Sequence, residues 1–303
     1  MSEMDPYIEA NLFPMPMLEL KFFNKYKEGI IQIPTERKKE QSNEVEKIPC
    51  YFQKNEKSTN ILIIFHGNGS DIFNLTYYIK EISEKNNINI LLVEYPGYSI
   101  YISPHSQEKI FEDSLIIYDF ILNNMKNISD KNIFVLGRSL GSSVAIYLAS
   151  KRNPAGVFLI SPFTTFASVG NHDEEDKKIL INFFRSIDYV ENINSPLLFI
   201  HGKCDYLVNY EESFKLYEKC NKNIKKEIIL KEGMGHNFLY EFLRDEIIPT
   251  INNFANKYCF KDEDNNSKDI IIDIEKKFFM SNDEFNNFLN YFEKKLNVNL
   301  KKI

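Results

Sequence analysis

The residues with the clearest chemical potential surround one serine. Ser139 stands at the centre of a Gly-x-Ser-x-Gly pattern, residues 137–141, directly after an apolar run that predicts a buried strand at 132–136. A helix-patterned stretch begins near Ser142. A strand, a tight turn and a helix in this order project the serine hydroxyl beyond the sheet and require small flanking residues. The pattern predicts a nucleophilic serine, with a structural glycine-rich turn as the alternative.

A serine hydroxyl is a weak nucleophile and needs a general base, which is oriented in turn by an acid. After a strand–turn–helix of this kind, the acid and then the base follow the serine along the chain. Of the five histidines, only His201 and His236 follow Ser139. His201 lies four residues before Asp205, whereas His236 comes just after a strand predicted at 226–230. His236 is the predicted base, and the alternative is a surface-loop histidine.

The acid is expected in the loop after the strand predicted at 196–200. Asp205 lies there, in His201-Gly202-Lys203-Cys204-Asp205. Glu211 and Glu212 follow, but they fall on a predicted helix, where solvated carboxylates are common. Asp205 is therefore the predicted orienting acid, with a turn or N-cap aspartate as the alternative.

An oxyanion requires two backbone donors. One is the N–H of Leu140, directly after the serine. The other is expected from the loop after the strand predicted at 61–65, where Gly67 and Gly69 let the backbone approach a substrate, and the N–H of Asn68 is assigned to this role. His66 is expected to be buried and to stabilise this loop rather than to take part in catalysis.

The elements that must position these residues alternate along the chain. Short apolar runs predict strands at 29–33, 45–52, 61–65, 89–95, 132–136, 156–160, 196–200 and 226–230. Amphipathic spacing predicts helices at 74–85, 106–125, 142–152 and 210–219, with a shorter one at 178–185. This alternation predicts the α/β class, with a mostly parallel sheet, helices on both faces and an antiparallel start.

Three segments are predicted along the chain. Residues 20–260 form one catalytic domain, preceded by an apolar, proline-bearing segment at 1–19 and followed by an extension at 261–303. The first segment is expected to pack along the domain surface, with a membrane or acyl-chain contact as the alternative. In the extension a polar linker precedes Ser281-x-x-Glu284, a capping-box pattern that opens an amphipathic helix. That helix is expected to dock on the domain, and the alternative is a helix that faces a partner.

Composition excludes several classes of function. The 303 residues carry 43 acidic and 37 basic side chains, a net charge of −6, and no block of Lys and Arg that would indicate a nucleic-acid partner. The four cysteines lack metal-ligand spacing, which disfavours zinc ribbons and disulfide scaffolds. The sequence has neither a long apolar span nor a signal-peptide core. We expect a cytoplasmic protein, with peripheral contact at membranes left open.

Six short segments carry a resemblance to a known family. In chain order they are His66-Gly67-Asn68, Glu94-Tyr95-Pro96-Gly97-Tyr98, residues 137–141, Ser161-Pro162-Phe163-Thr164-Thr165, His201-Gly202-x-x-Asp205 and Gly235-His236. Together they resemble the α/β-hydrolase superfamily, specifically the ABHD-type serine hydrolases near Bem46-like proteins and the ABHD depalmitoylases. The resemblance implies an eight-stranded sheet, an acyl-serine intermediate, and neither a metal nor an organic cofactor. Carried over by position, it makes Ser139 the nucleophile, Asp205 the acid and His236 the base.

The sequence departs from this family after Tyr98 and in its first 49 residues. After Tyr98 it reads Ser99-Ile100-Tyr101-Ile102-Ser103, where relatives usually continue with Gly-x-Ser, so the fit of substrate at the mouth of the site is expected to differ. The first 49 residues lack the cysteines of the depalmitoylase branch. Only 33 residues, 163–195, occupy the position where many lipases insert a lid, so the cap is expected to be minimal and the site open.

These observations predict a serine hydrolase that cleaves carboxylic esters or thioesters. An open site favours acyl groups presented by bulky partners, so an acyl-protein thioesterase of the depalmitoylase type is the first candidate, acting on an acylated protein or a small lipid ester. A lysophospholipase or lipid esterase and a serine aminopeptidase-like hydrolase are the alternatives. A more remote alternative is a non-catalytic scaffold that binds through the extension at 261–303.

Overall fold

An eight-stranded sheet forms the centre of the computed structural model, which describes residues 12–14, 26–39, 43–126, 128–238, 242–260 and 274–288. The strands are β1 Ile30–Lys38, β2 Val45–Gln53, β3 Ile61–Phe65, β4 Asn89–Val93, β5 Ile133–Arg138, β6 Gly156–Ile160, β7 Leu197–Gly202 and β8 Lys226–Lys231. Their order in the sheet is β1-β2-β4-β3-β5-β6-β7-β8. β2 is antiparallel to both of its neighbours, and the other neighbouring strands are parallel. The predicted fold class is confirmed.

Helices cover both faces of the sheet. They are α1 Ile72–Asn86, α2 Gln107–Asn124, α3 Leu140–Lys151, α4 Glu174–Leu180, α5 Glu211–Lys219 and α6 Ile248–Tyr258, the last preceded by a π-helical turn at Leu243–Ile247. Alternate residues of β3 face opposite cores: Ile63 belongs to a core that includes side chains of α2 and α3, and Leu62 to one that includes side chains of α1 and α6. Burial on both faces explains why the strand runs are almost wholly apolar.

Two helices differ from the sequence prediction. The helix predicted at 178–185 begins at Glu174 instead, because the Asp173 side chain accepts hydrogen bonds from the N–H groups of Glu175 and Asp176 and caps the first turn. The helix at 248–258 is not predicted from the sequence. Its Pro249 lacks an N–H and would ordinarily interrupt an α-helix, but it lies just after the π-helical turn at Leu243–Ile247, where the hydrogen-bond pattern already departs from that of an α-helix.

The described part of the C-terminal extension packs against the edge of the sheet. The N–H of Met280 donates to the carbonyl of Ile30 at 2.9 Å, and Phe279 forms a β-bridge with Ile31. The helical residues 282–288 bury Phe285 and Phe288 against the core that includes α1. These contacts cover part of the outer edge of β1, the first strand in the sheet order, and exposed strand edges are a common site of unwanted pairing.

Side-chain contacts reinforce this docking. Lys47 forms a 2.7 Å ion pair with Glu284. Ser281 and Glu284 make the reciprocal capping-box hydrogen bonds that their spacing predicts. Residues 261–273 and 289–303, which belong to the same predicted segment, lie outside the described residues.

At the other end of the chain, residues 12–14 lie on the domain. Leu12 and Phe13 are buried, and the Phe13 ring centroid is 4.6 Å from that of His105 and 6.2 Å from that of Phe184. The rest of the predicted 1–19 segment lies outside the described residues. Among the helices of the described ranges, none has the length and apolarity needed to cross a bilayer.

Docking of residues 274–288 predicts a cost when its anchor is removed. Phe285→Ala deletes a buried ring and is expected to lower the free energy of unfolding by about 3 kcal/mol in urea denaturation. Asn286→Ala changes the neighbouring, exposed residue of the same helical stretch and serves as the control, with an expected change within about 0.5 kcal/mol. Equal stability of Phe285→Ala and the wild type would contradict the docking.

Candidate active site

Three side chains meet at the carboxyl edge of the parallel strands. Ser139 follows β5, Asp205 follows β7, and His236 follows β8. The Oγ of Ser139 is 3.0 Å from Nε2 of His236, and Nδ1 of His236 is 2.8 Å from Oδ2 of Asp205. Because a carboxylate only accepts, Nδ1 carries the hydrogen and Nε2 is left to accept from the serine hydroxyl. The three residues predicted from the sequence are thus brought together in one hydrogen-bonded series.

The turn at Ser139 is strained. Its φ of 52° and ψ of −119° are rare for a residue with a Cβ. A Cβ on Gly137 would lie 2.2 Å from the carbonyl oxygen of Gly141, and a Cβ on Gly141 would lie 2.1 Å from that of Phe65. Both glycines are therefore required by close backbone approach, which lets α3 begin directly after the serine.

The two residues predicted to stabilise an oxyanion lie on either side of the serine turn, Leu140 on a helix and Asn68 on a loop. Leu140 is the first residue of α3, where unpaired N–H groups and the helix dipole favour negative charge. Asn68 follows Gly67, and a Cβ on Gly67 would lie 3.6 Å from the Cβ of Ser139. The hydroxyl of Tyr98 donates to the Asn68 side chain at 2.7 Å and holds this loop. The role of Asn68 and Leu140 in stabilising an oxyanion stays a prediction.

His66 contacts the same loop, with its Nδ1 3.0 Å from the carbonyl oxygen of Gly67. It is buried, with Nε2 3.0 Å from Oε1 of the fully buried Glu94. The other carboxylate oxygen of Glu94 accepts the N–H of Ile72 at the start of α1, and the hydroxyl of Tyr95 donates to the carbonyl of His66 at 2.7 Å. The predicted burial of His66 is confirmed.

The Asp205 carboxylate is held by both oxygens. Oδ1 accepts the N–H groups of Leu207 at 3.1 Å and Val208 at 2.8 Å, and Oδ2 faces His236 and His201. Burial alone would raise the pKa of Asp205, but hydrogen bonds from His201, His236 and the Val208 N–H outweigh it and hold the pKa well below its ordinary value. Asp205 is therefore a permanent anion beside the His236 ring.

Arg138 is a site residue that the sequence does not predict. Its Nη2 donates to the carbonyl of His236 at 2.6 Å and to the side-chain oxygen of Asn237 at 2.9 Å, while the guanidinium lies 5.5 Å from the centre of the Phe238 ring. Burial lowers its pKa, and the nearby charge of Asp205 partly compensates. Its position in the Gly-x-Ser-x-Gly pattern could have indicated this role, because the residue before Ser139 lies at the edge of the sheet beside the serine.

The cap over this edge is short. Between β6 and β7 it contains α4 and short 3₁₀ turns at 166–168, 186–188 and 190–192. It is joined to the Asp205 loop by the N–H of Gly170, which donates to the carbonyl of Leu207 at 2.7 Å, and by a bridge between Val169 and Val208. Tyr206, next to Asp205, is 95% exposed. These features agree with the small cap expected from the sequence.

Comparison with known proteins places this geometry in context. The sequence profile of the prolyl oligopeptidase family matches residues 100–261. The chain is 28% identical over 192 residues to alpha/beta hydrolase domain-containing protein 17C of Mus musculus, covering 63% of this chain and 59% of that protein. It is 27% identical to protein 17B of the same series from Homo sapiens, covering 63% of this chain and 65% of that protein. The match thus spans about three fifths of the curated relatives' length.

Solved structures share the fold. The Pyrococcus furiosus esterase Pf2001 superposes with a TM-score of 0.60 at 18% identity, covering 82% of this chain and 96% of that chain. Est1E from Butyrivibrio proteoclasticus superposes with a TM-score of 0.57 at 17% identity, covering 75% and 99%. At these identities the likeness establishes the chain path alone.

The close approach at the serine turn gives a test. Gly141→Ala would place a methyl group 2.1 Å from the carbonyl of Phe65, so we expect a loss of about 2 kcal/mol or more in the free energy of unfolding. Gly235→Ala makes the same change beside His236, but its Cβ would meet its nearest neighbour, the carbonyl of Cys204, at an ordinary 3.4 Å. Thermal denaturation followed by circular dichroism should separate the two variants. Equal midpoints would contradict the close packing at the turn.

Proposed function

Because the chain belongs to the prolyl oligopeptidase family and is an ABHD-type α/β-hydrolase, we propose that it cleaves carboxylic esters and thioesters through an acyl-enzyme on Ser139. The observation that carries the proposal is the unbroken series of hydrogen bonds from Asp205 through His236 to Ser139. This series supplies a nucleophile, a base and a fixed anion in one contact chain. The esterases among the solved structures that share the fold add support.

In the proposed reaction, Oγ of Ser139 attacks the substrate carbonyl while Nε2 of His236 takes the hydroxyl proton. The resulting imidazolium is stabilised by Asp205, which stays ionised. The imidazolium then gives its proton to the leaving alkoxide or thiolate as the bond from the acyl carbon to that oxygen or sulfur breaks. Water attacks the acyl-serine in the second half, His236 again moves the proton, and the carboxylic acid leaves with Ser139 restored.

We assign the negative oxygen of the tetrahedral intermediate to the N–H groups of Asn68 and Leu140. Support comes from the position of Leu140 at the first turn of α3 and of Asn68 on the loop that borders Ser139. One such donor contributes about 3 kcal/mol to transition-state stabilisation in acyl transfer. The hydrogen bond from Tyr98 keeps the Asn68 loop in place while charge develops.

For the substrate we propose a thioester-linked acyl group on a protein, reached by peripheral contact with a membrane surface. The short cap supports this choice, because a bulky acyl carrier needs an approachable serine. Exposed apolar side chains in the segments that follow the strands at the same edge also support it: Ile102 after β4, Ile179 and Ile181 in the cap, and Tyr206 and Leu207 after β7. A lysophospholipid or another small lipid ester would meet the same surface.

Peptide-bond cleavage is the competing proposal, and the family name favours it. An aminopeptidase needs a carboxylate available to the ammonium group of its substrate. Glu212, a buried acid on α5, already accepts from the N–H and hydroxyl of Thr164 and pairs with Lys215. Its carboxylate is therefore committed to holding the loop after β6, which weakens the aminopeptidase alternative.

A fluorophosphonate probe tests the nucleophile. The wild type is expected to be labelled, and Ser139→Ala to lose all labelling while keeping its thermal midpoint. Asp205→Asn should slow labelling by about 1000-fold or more, because the imidazolium loses its stabilising anion. Ser150→Ala, a change on the same helix α3, is the control and should react like the wild type. An unreactive folded wild type would end the proposal.

A substrate series tests which bond is cut. Acyl-thioester peptides of graded chain length are compared with the matching oxygen esters, lysophospholipids and aminoacyl-nitroanilides. The proposal expects kcat/KM for the thioester peptides to exceed that for the anilides by at least about 100-fold, since the described site commits Glu212 elsewhere. A preference for the anilides would replace the thioesterase assignment with the peptidase one.

A further inference from the structure

A second histidine faces the oxygen of Asp205 that His236 uses. His201, in β7, is fully buried, and its Nε2 lies 3.3 Å from Oδ2 of Asp205 and 3.0 Å from the carbonyl oxygen of Val208. Its Nδ1 lies 2.7 Å from Oγ of Ser213 on α5. The proposed proton path does not use this ring, so its buried position against the acid requires a separate explanation.

These neighbours decide which nitrogen of His201 carries hydrogen. The groups near Nε2, a carboxylate and a carbonyl, only accept, so Nε2 must donate. The hydroxyl of Ser213 can then donate to Nδ1. A neutral imidazole with its hydrogen on Nε2 therefore satisfies the buried polar atoms around it, without adding a charge beside Asp205.

The same contacts hold the Asp205 carboxylate in two ways. Val208 donates its N–H to Oδ1 of Asp205 and accepts from His201 through its carbonyl, so the ring fixes the loop that aims the carboxylate. The positive end of the Nε2–H dipole also lies beside Oδ2 and withdraws part of the negative potential that His236 experiences. A carboxylate with less free charge stabilises the His236 imidazolium less.

We propose that His201 is a positioning residue that holds the Asp205 carboxylate toward His236 and lowers, through its Nε2–H, the pH above which His236 is available as a base. The proposal rests on the proposed function, since it needs His236 to act on Ser139. In this arrangement the Asp205 carboxylate contacts two imidazole rings, those of His201 and His236, instead of one.

Other charged groups near this pair have contacts of their own that do not involve His201. Arg138 of β5 binds the carbonyl of His236 and is the cation whose charge reaches Asp205. On the adjoining segments, Glu212 is held by Thr164 and Lys215, and Lys203 pairs with Glu232. A shift in the titration of His236 after substitution of His201 therefore reports on His201 itself.

The test measures the second-order rate of fluorophosphonate labelling as a function of pH. In His201→Phe, which keeps a ring but removes both nitrogens, the acid limb of the profile is expected to move upward by about one pH unit. His201→Gln keeps an amide N–H near the place of Nε2 and should return the limb most of the way to the wild-type position. A reduced rate with an unmoved acid limb in His201→Phe would mean a merely structural role and would overturn the inference.

Two further measurements distinguish a failure of the inference from a folding defect and from a failure of the proposed function. Ser213→Ala removes the hydroxyl at Nδ1 but leaves the Nε2 contacts, so its acid limb should match the wild type. In the unsubstituted protein, nitrogen chemical shifts should report the Nε2–H tautomer of His201, and the Nδ1–H tautomer would refute the inference without any variant. Absence of labelling in the wild type counts against the proposed function, whereas labelling with unmoved limbs counts against His201 alone.

Discussion

The described structure depends on one strained peptide turn. At Ser139 the backbone adopts a conformation that costs about 1–3 kcal/mol, and it persists because β3, β5 and the start of α3 are packed too closely for any other path. Main-chain atoms of Gly141 and Phe65 are nearly in contact, so the helix and the neighbouring strand fix the serine between them. The packing of the sheet and helix thus offsets the conformational free energy that this turn costs.

The local part of this arrangement could be predicted from the sequence. Each parallel strand is an apolar run closed by turn residues, and the carboxyl ends of parallel strands share one edge, so Ser139, Asp205 and His236 were expected to lie together. The required chain order reduced the choice of base to His236. These predictions succeed because strand burial and turn conformation depend on residues that are close together in the sequence.

What escaped prediction depends on contacts between distant segments. Arg138 and His201 stand within motif segments of the sequence, but only the folded loops bring one against the His236 carbonyl and the other against Asp205. The helix at 248–258 was missed for the same reason, because its apolar residues are buried only by packing against distant strands of the sheet. The docking of Phe285 could be proposed from its helical spacing, but the strand it reaches could not.

The backbone pairing of Met280 with Ile30 has a consequence for the order of assembly. A chain made from its amino end produces β1 early and the segment around Met280 only after all eight strands. Through that interval the outer edge of β1 near Ile30 has no such partner, and an uncovered edge on a nascent sheet invites pairing with other chains. The last described segment therefore covers this edge only late in synthesis, after the segments that carry Ser139, Asp205 and His236 have been made.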